Sequence, residues 1–105
     1  MGYIYLIRKE GKPKYVGLTT VSVLERWKKH LENSRNNSNF ALHQALRKYG
    51  EQNFTIEVIE ENNNSLLGER EQYWIKYYKT HVSDGGYNMT YGGETAADSL
   101  KKKCY

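Results

Sequence analysis

The chain has 105 residues, with 16 basic and 12 acidic side chains, 38 % hydrophobic residues and a mean hydropathy of −0.87. That length fits one domain with a small but adequate core, and no apolar run approaches the ~20 residues of a membrane-spanning helix. Cys104 is the single cysteine and His30, His43 and His81 lack metal-ligand spacing, so an internal disulfide and a cysteine-rich zinc site are excluded.

Tyr3-Ile4-Tyr5-Leu6-Ile7 is β-branched and aromatic and predicts a strand. Lys9 to Pro13 supplies turn chemistry, and Lys14-Tyr15-Val16-Gly17 predicts a second strand, giving a β-hairpin. Ser22, with Glu25 three residues on, fits a capping box and opens a helix to about Leu31, with Leu24, Trp27, Lys28 and Leu31 along its stripe. Asn33 to Asn39 reads as a loop. Phe40 to Tyr49 predicts a second helix with Leu42, Ala45, Leu46 and Tyr49 on one face, ended by Gly50. Phe54 to Glu60 alternates as a strand with one buried face. Ser65 is the expected N-cap of a third helix running to about Tyr78, and turns surround Tyr87 to Tyr91. Residues 95–105 are expected to form a basic, frayed tail. The order β-β-α-α-β-α predicts an α+β domain in which the third strand joins the hairpin and helices cover the sheet.

The charge is polarised. Residues 1–49 carry ten basic and three acidic side chains, residues 50–100 three basic and nine acidic, and Lys101, Lys102 and Lys103 follow. A basic N-terminal half suits a polyanion such as nucleic acid, and an ordinary lysine-rich surface is the plainer alternative.

Three groups of side chains carry potential chemistry. Glu71 shares a helix face with Leu67, Trp74, Ile75 and Tyr78. A carboxylate there needs a partner: an arginine in a structural ion pair, or a catalytic or metal-binding role. Arg26 and His30 stand at i and i+4. The arginine fork suits a phosphate and the imidazole moves protons near neutral pH, unless both belong to a solvated basic face with Lys28 and Lys29. Tyr3 and Tyr5 share one face of their strand, and with Tyr15 they either pack the sheet or aim hydroxyls at a site.

Several segments resemble a known family. Tyr3-Ile4-Tyr5 followed by Tyr15-Val16-Gly17 resembles the paired motifs of the GIY-YIG nucleases. Leu24 to His30 is similar to that family's first-helix motif, Leu42 to Gly50 with Asn53-Phe54 to its "KYG…NF" segment, Glu69 to Ile75 to its metal-binding helix, and Gly86-Tyr87-Asn88-Met89 to its closing "GYN" motif. Tyr3 stands where the first motif has glycine, and Val16 where the second has isoleucine. The nearest resemblance is to catalytic modules of phage and intron homing endonucleases, over about residues 2–94.

The resemblance implies a three-stranded antiparallel sheet flanked by helices, a catalytic domain over residues 1–94, and divalent-metal-dependent hydrolysis of DNA phosphodiesters. It places Tyr5, Tyr15, Arg26, His30 and Glu71 in catalysis, Glu71 on Mg²⁺ (or Mn²⁺), and Asn88 in support. Lys14, Lys28, Lys29, His43, Arg47 and Lys48 are the expected DNA-facing residues, with His43 and Arg47 as an i, i+4 pair. For His43 and His81 an ordinary surface position is the alternative. A non-catalytic or repair-type nucleic-acid-binding module is the other functional expectation. The isolated domain is expected to be a monomer that dimerises on DNA if at all, in a reduced intracellular setting of phage or bacterial origin, away from membranes.

Overall fold

The computed structural model describes residues 1–92, so the expected tail over 95–105 lies outside the described residues. Strands β1 (Gly2–Lys9), β2 (Lys12–Thr19) and β3 (Phe54–Asn62) form one antiparallel sheet in the order β2-β1-β3. Helices α1 (Val23–Arg35), α2 (Ala41–Tyr49) and α3 (Asn64–Tyr78) complete the α+β domain, with 3₁₀ turns at Glu51–Asn53 and Val82–Asp84. β1 is central and covered on both faces, which accounts for its unbroken run of buried Ile4, Tyr5, Leu6 and Ile7.

Each sheet face has its own core. Tyr5, Ile7 and Phe54 pack under Leu42, Ala45 and Leu46 of α2, with Trp27 and Leu31 of α1 against them. Ile4, Leu6 and Val16 pack under Leu67 and Ile75 of α3. The result is a helix–sheet–helix sandwich in which the even residues of β1 meet α3 and the odd ones meet α1 and α2.

The hairpin is tighter than expected. Glu10 and Gly11 both take positive φ, 51° and 82°, as a two-residue type I′ loop requires. Pro13 therefore lies inside β2, which is an edge strand and tolerates its missing N–H beside a register shift. A second register shift lies between Ile4 and Tyr5, opposite β3. Past it, Ile4 faces Glu60, so Ile59 and Glu60 both serve the α3 side while Ile56 stays with α1 and α2. Strict alternation along β3 misplaces Glu60 for this reason.

Helix α1 begins as expected, with Ser22 Oγ accepting the Glu25 N–H at 3.1 Å, but it continues one turn beyond Leu31. Ser34 is buried and donates to the Leu31 carbonyl at 2.7 Å, and the Asn36 N–H closes the end on Glu32 and Asn33. The asparagine-rich stretch thus terminates the helix instead of replacing its last turn. The buried face of α1 is also rotated: His30 and Ser34 are buried, whereas Leu24 is 60 % exposed and Lys28 lies outside. The N-cap of α3 is Asn63, not Ser65, because Asn63 is the residue with extended backbone before the first turn.

Candidate active site

Tyr5 and Tyr15 lie on the α1–α2 face of neighbouring strands, with ring centroids 6.2 Å apart. Gly17 is directly opposite Tyr5 in the ladder. A Cβ on Gly17 would stand 2.3 Å from both Cζ and Oη of Tyr5. The missing side chain therefore lets the Tyr5 ring lie flat across β2, and this is the physical content of the glycine in Tyr15-Val16-Gly17.

The Tyr5 hydroxyl meets His30 Nε2 at 2.7 Å. His30 Nδ1 meets His43 Nε2 at 2.9 Å, and His43 Nδ1 meets Ser38 Oγ at 2.7 Å. The expectation of a surface His43 facing DNA does not hold: its side chain is 1 % exposed, beneath the stacked ring of Phe40. Its position three residues before Leu46, on the core stripe of α2, is the signal that a DNA-facing reading passes over. Arg47, its intended partner, donates to the Ser34 carbonyl at 2.9 Å and ties α2 to α1. Ser38 carried no expectation at all.

The electrostatics of the site follow from burial and two opposite charges. Burial raises the Tyr5 pKa well above its ordinary value, and the neighbouring Tyr15 adds to the rise. Arg26, within hydrogen-bonding reach of Tyr5, works against it. Tyr15 is pushed up to about 12, first by burial and then by the Glu71 carboxylate, with Arg26 and a hydrogen bond from Tyr5 opposing. His30 is held down at about 3 by burial, then by Arg26 and His43. His43 is lowered by burial, Arg26 and Arg47. The charges of Arg26 on α1 and Glu71 on α3 thus both bear on the two phenol groups, although the two helices cover opposite faces of the sheet. Tyr15 itself stands on β2, an edge strand of the sheet.

That edge is closed by the segment after α3. Asn88 is buried; its Oδ1 accepts from Val16 N–H at 2.9 Å and Thr80 Oγ1 at 2.7 Å, and its Nδ2 donates to the Val16 carbonyl at 2.8 Å. The amide side chain pairs with β2 as a neighbouring strand would, next to Tyr15. Tyr87 N–H adds a bond to the Lys14 carbonyl at 2.7 Å. Lys14 Nζ in turn donates to the Gly85 carbonyl at 3.0 Å. Lys28, Lys29 and Lys48 are exposed, and Lys29 lies 3.6 Å from Glu32. His81 stacks on Tyr91 and contacts Ser83.

Glu71 is half-buried, and Gly92 passes so near it that a Cβ there would stand 2.7 Å from Oε1. Gly92 takes a φ of 81° and its carbonyl accepts from Gln72 Nε2 at 3.3 Å, which fixes this crossing. Helix α3 also carries an ion pair to β3. Glu60 accepts from Arg70 Nε at 2.8 Å, from Trp74 Nε1 at 2.9 Å and from Asn62 Nδ2 at 2.9 Å. Arg70 first, then Asn62 and Trp74, draw the Glu60 carboxyl down to about 2 against its burial. Among the described residues there is no group of three or more His, Cys, Asp or Glu side chains placed to hold a metal.

The family model of the GIY-YIG catalytic domain matches residues 1–88. The chain belongs to the GIY-YIG family. Solved structures similar to it include the catalytic domain of the homing endonuclease I-TevI, at 28 % identity and a TM-score of 0.70, covering 86 % of this chain and 99 % of that one. A glutamate-to-alanine variant of the catalytic domain of intron endonuclease I-TevI is similar at 29 % identity and a TM-score of 0.70, covering 86 % and 95 %. Comparison with curated protein sequences finds no significant match. The GIY-YIG fold accounts for the sheet order and for the helices on both faces. No helix among the described residues is long and apolar enough to cross a membrane.

Proposed function

We propose that this GIY-YIG domain is a divalent-metal-dependent DNA endonuclease that hydrolyses phosphodiester bonds, as a homing-endonuclease-type catalytic module. The observation that carries the reading is the convergence of Tyr5, Tyr15 and His30, with ring centroids 5.5 to 6.2 Å apart and the Tyr5 hydroxyl 2.7 Å from His30 Nε2, within the fields of Arg26 and Glu71.

The donor set fits Mg²⁺. One half-buried carboxylate, beside the space that Gly92 leaves, suits an ion that keeps most of its water shell and takes phosphate oxygens from its substrate. Glu71 would hold it, and Mn²⁺ takes the same oxygen ligands. When bound, the metal supplies Lewis-acid stabilisation of charge on the leaving 3′ oxygen. Arg26 donates to the phosphoryl oxygens, where its planar fork matches two acceptors. Tyr5 takes the proton of the attacking water, handing its own hydroxyl proton to His30 Nε2 at 2.7 Å. Tyr15 orients that water, and Asn88 holds the strand that presents Tyr15. Lys28, Lys29 and Lys48 contact flanking phosphates, whereas Lys14 and Arg47 serve mainly to tie elements together.

Residues 1–94 form the catalytic unit, acting as a monomer that nicks one strand per encounter, in a reduced intracellular compartment. Double-strand cutting then requires dimerisation on DNA or a second event. The test is conversion of supercoiled plasmid to nicked circle with Mg²⁺ at low salt, with EDTA and Arg26→Ala as controls. Cleavage lost in both controls is expected. DNA binding without cleavage by the wild type would instead support a non-catalytic module.

A further inference from the structure

A buried base must dispose of a proton. Tyr5 is 1 % exposed, and with DNA over the site its hydroxyl proton has no direct route to bulk water. A continuous polar path leads away from it through Tyr5 Oη, His30, His43 and Ser38, with links of 2.7, 2.9 and 2.7 Å. Both ring nitrogens of both histidines are used in this path. The two imidazoles must therefore hold the same tautomer, and two arrangements satisfy every link. In one, Tyr5 donates to His30, His30 to His43 and His43 to Ser38. In the other every donor is reversed, and Tyr5 is left to donate to Tyr15.

Resting on the nuclease reading above, we propose that His43 and Ser38 form, with His30, a proton relay from Tyr5 to solvent at the α1–α2 loop. In the cleavage step Tyr5 Oη gains the proton of the attacking water and loses its own to His30 Nε2. His30 passes its Nδ1 proton to His43 Nε2, His43 passes its Nδ1 proton to Ser38 Oγ, and Ser38 releases its hydroxyl proton to water. One proton enters and one leaves, the incipient hydroxide goes to phosphorus, and both imidazoles end neutral in the opposite tautomer. The relay resets in reverse when product departs and Tyr5 gives its proton to entering solvent.

The surroundings suit a relay of neutral rings. Arg26 from α1 and Arg47 from α2 both disfavour a charged His43, and Arg26 with burial does the same for His30. Tyr5 and Tyr15 are the only titratable groups in ring contact with His30 from the sheet side among the described residues. Stepwise transfer through an imidazolium is thereby penalised and concerted transfer is not. Phe40 stacks on His43 with centroids 5.4 Å apart. The half-buried Ser38, between exposed Asn37 and Asn39, is the end of the path that meets water. Its oxygen is fixed by the Phe40 N–H at 3.3 Å. His43 and Ser38 touch no substrate, so they are positioning residues for a proton.

Two measurements test this. Imidazole ¹⁵N shifts at pH 7 read the tautomers without any cleavage. The relay requires His30 and His43 to be neutral and of one tautomeric sense, and Ser38→Ala to change both rings together. A charged ring, or a His30 signal indifferent to Ser38→Ala, overturns it. Single-turnover nicking in H₂O–D₂O mixtures supplies the second readout. Wild type is expected to show a curved, multi-proton inventory. His43→Gln keeps a hydrogen bond to His30 but cannot exchange tautomers, so cleavage should fall about 100-fold with DNA affinity unchanged, and Ser38→Ala should cost about 10-fold. His43→Gln cutting at the wild-type rate, or a linear inventory in the wild type, overturns the relay while leaving the nuclease reading intact. Coupled tautomers in a wild type that cuts nothing overturn the nuclease reading, and with it the assignment of the relay to hydrolysis.

Discussion

Gly17→Ala is the substitution that most cleanly couples packing to the site. The added methyl would stand 2.3 Å from Tyr5 Cζ and Oη, whereas ordinary contact begins at 3.4 Å. The ring must retreat by about 1 Å, and it is enclosed by Ile7, Leu46 and Tyr15 in a filled core. Overpacking of this kind costs about 1–3 kcal/mol. For a domain of this size each kcal/mol lowers Tm by roughly 4–8 °C. The same 1 Å shift breaks the 2.7 Å bond to His30, and misplacement on that scale costs about 100-fold in rate. Melting followed by circular dichroism and single-turnover plasmid nicking read the two effects separately. Tyr5→Phe serves as the partner in a double-mutant cycle: it removes the hydroxyl but keeps most of the ring. Rate losses should then fail to add, because both changes remove one hydrogen bond, while the melting losses persist together. Gly17→Ala with wild-type Tm and wild-type cleavage would refute the packing of Tyr5 over β2.

Asn88→Asp replaces the donor facing the Val16 carbonyl with an acceptor; the loss should be about 2–3 kcal/mol by urea denaturation, with Tyr15 displaced and cleavage reduced. Glu60 has a carboxyl lowered from 4.5 to about 2 in the folded state, so its stabilising contribution is present above pH 4.5 and is lost as pH falls through 2. Glu60→Gln should therefore lower Tm at pH 6 and flatten its decline between pH 4.5 and 2, and parallel wild-type and variant curves would contradict the assignment. Deleting Lys101 to Lys103 should weaken non-specific DNA affinity and its salt dependence, read by titration at several salt concentrations, without abolishing cleavage.

Most of the fold is legible in the sequence because the signals are local. Alternation marks β3, the Ser22–Glu25 spacing marks the start of α1, and Gly50 marks the end of α2. What escapes is decided by tertiary contact. The register shift opposite Ile4 carries Glu60 to α3, and no local pattern encodes it. The last turn of α1 survives in an asparagine-rich stretch because Ser34 is buried and Arg35 reaches Glu51 at 3.1 Å. The site divides in the same way. Spacing marks Glu71 and the Arg26–His30 pair as candidates, and the resemblance to the GIY-YIG motifs selects them together with Tyr5 and Tyr15. For His43 the spacing to Leu46 signals burial only, and neither its bond to His30 nor that to Ser38 is encoded locally.

The central claim is that Glu71 serves chemistry at the tyrosine pair and not the stability of α3. Single-turnover cleavage by Glu71→Gln, at saturating protein and millimolar Mg²⁺ with Tm measured alongside, tests it most directly. Near-isosteric loss of one charge should leave folding and DNA binding close to wild type while cleavage falls by about 1,000-fold or more, as for loss of a principal electrostatic group. Cleavage by Glu71→Gln at the wild-type rate would contradict the account.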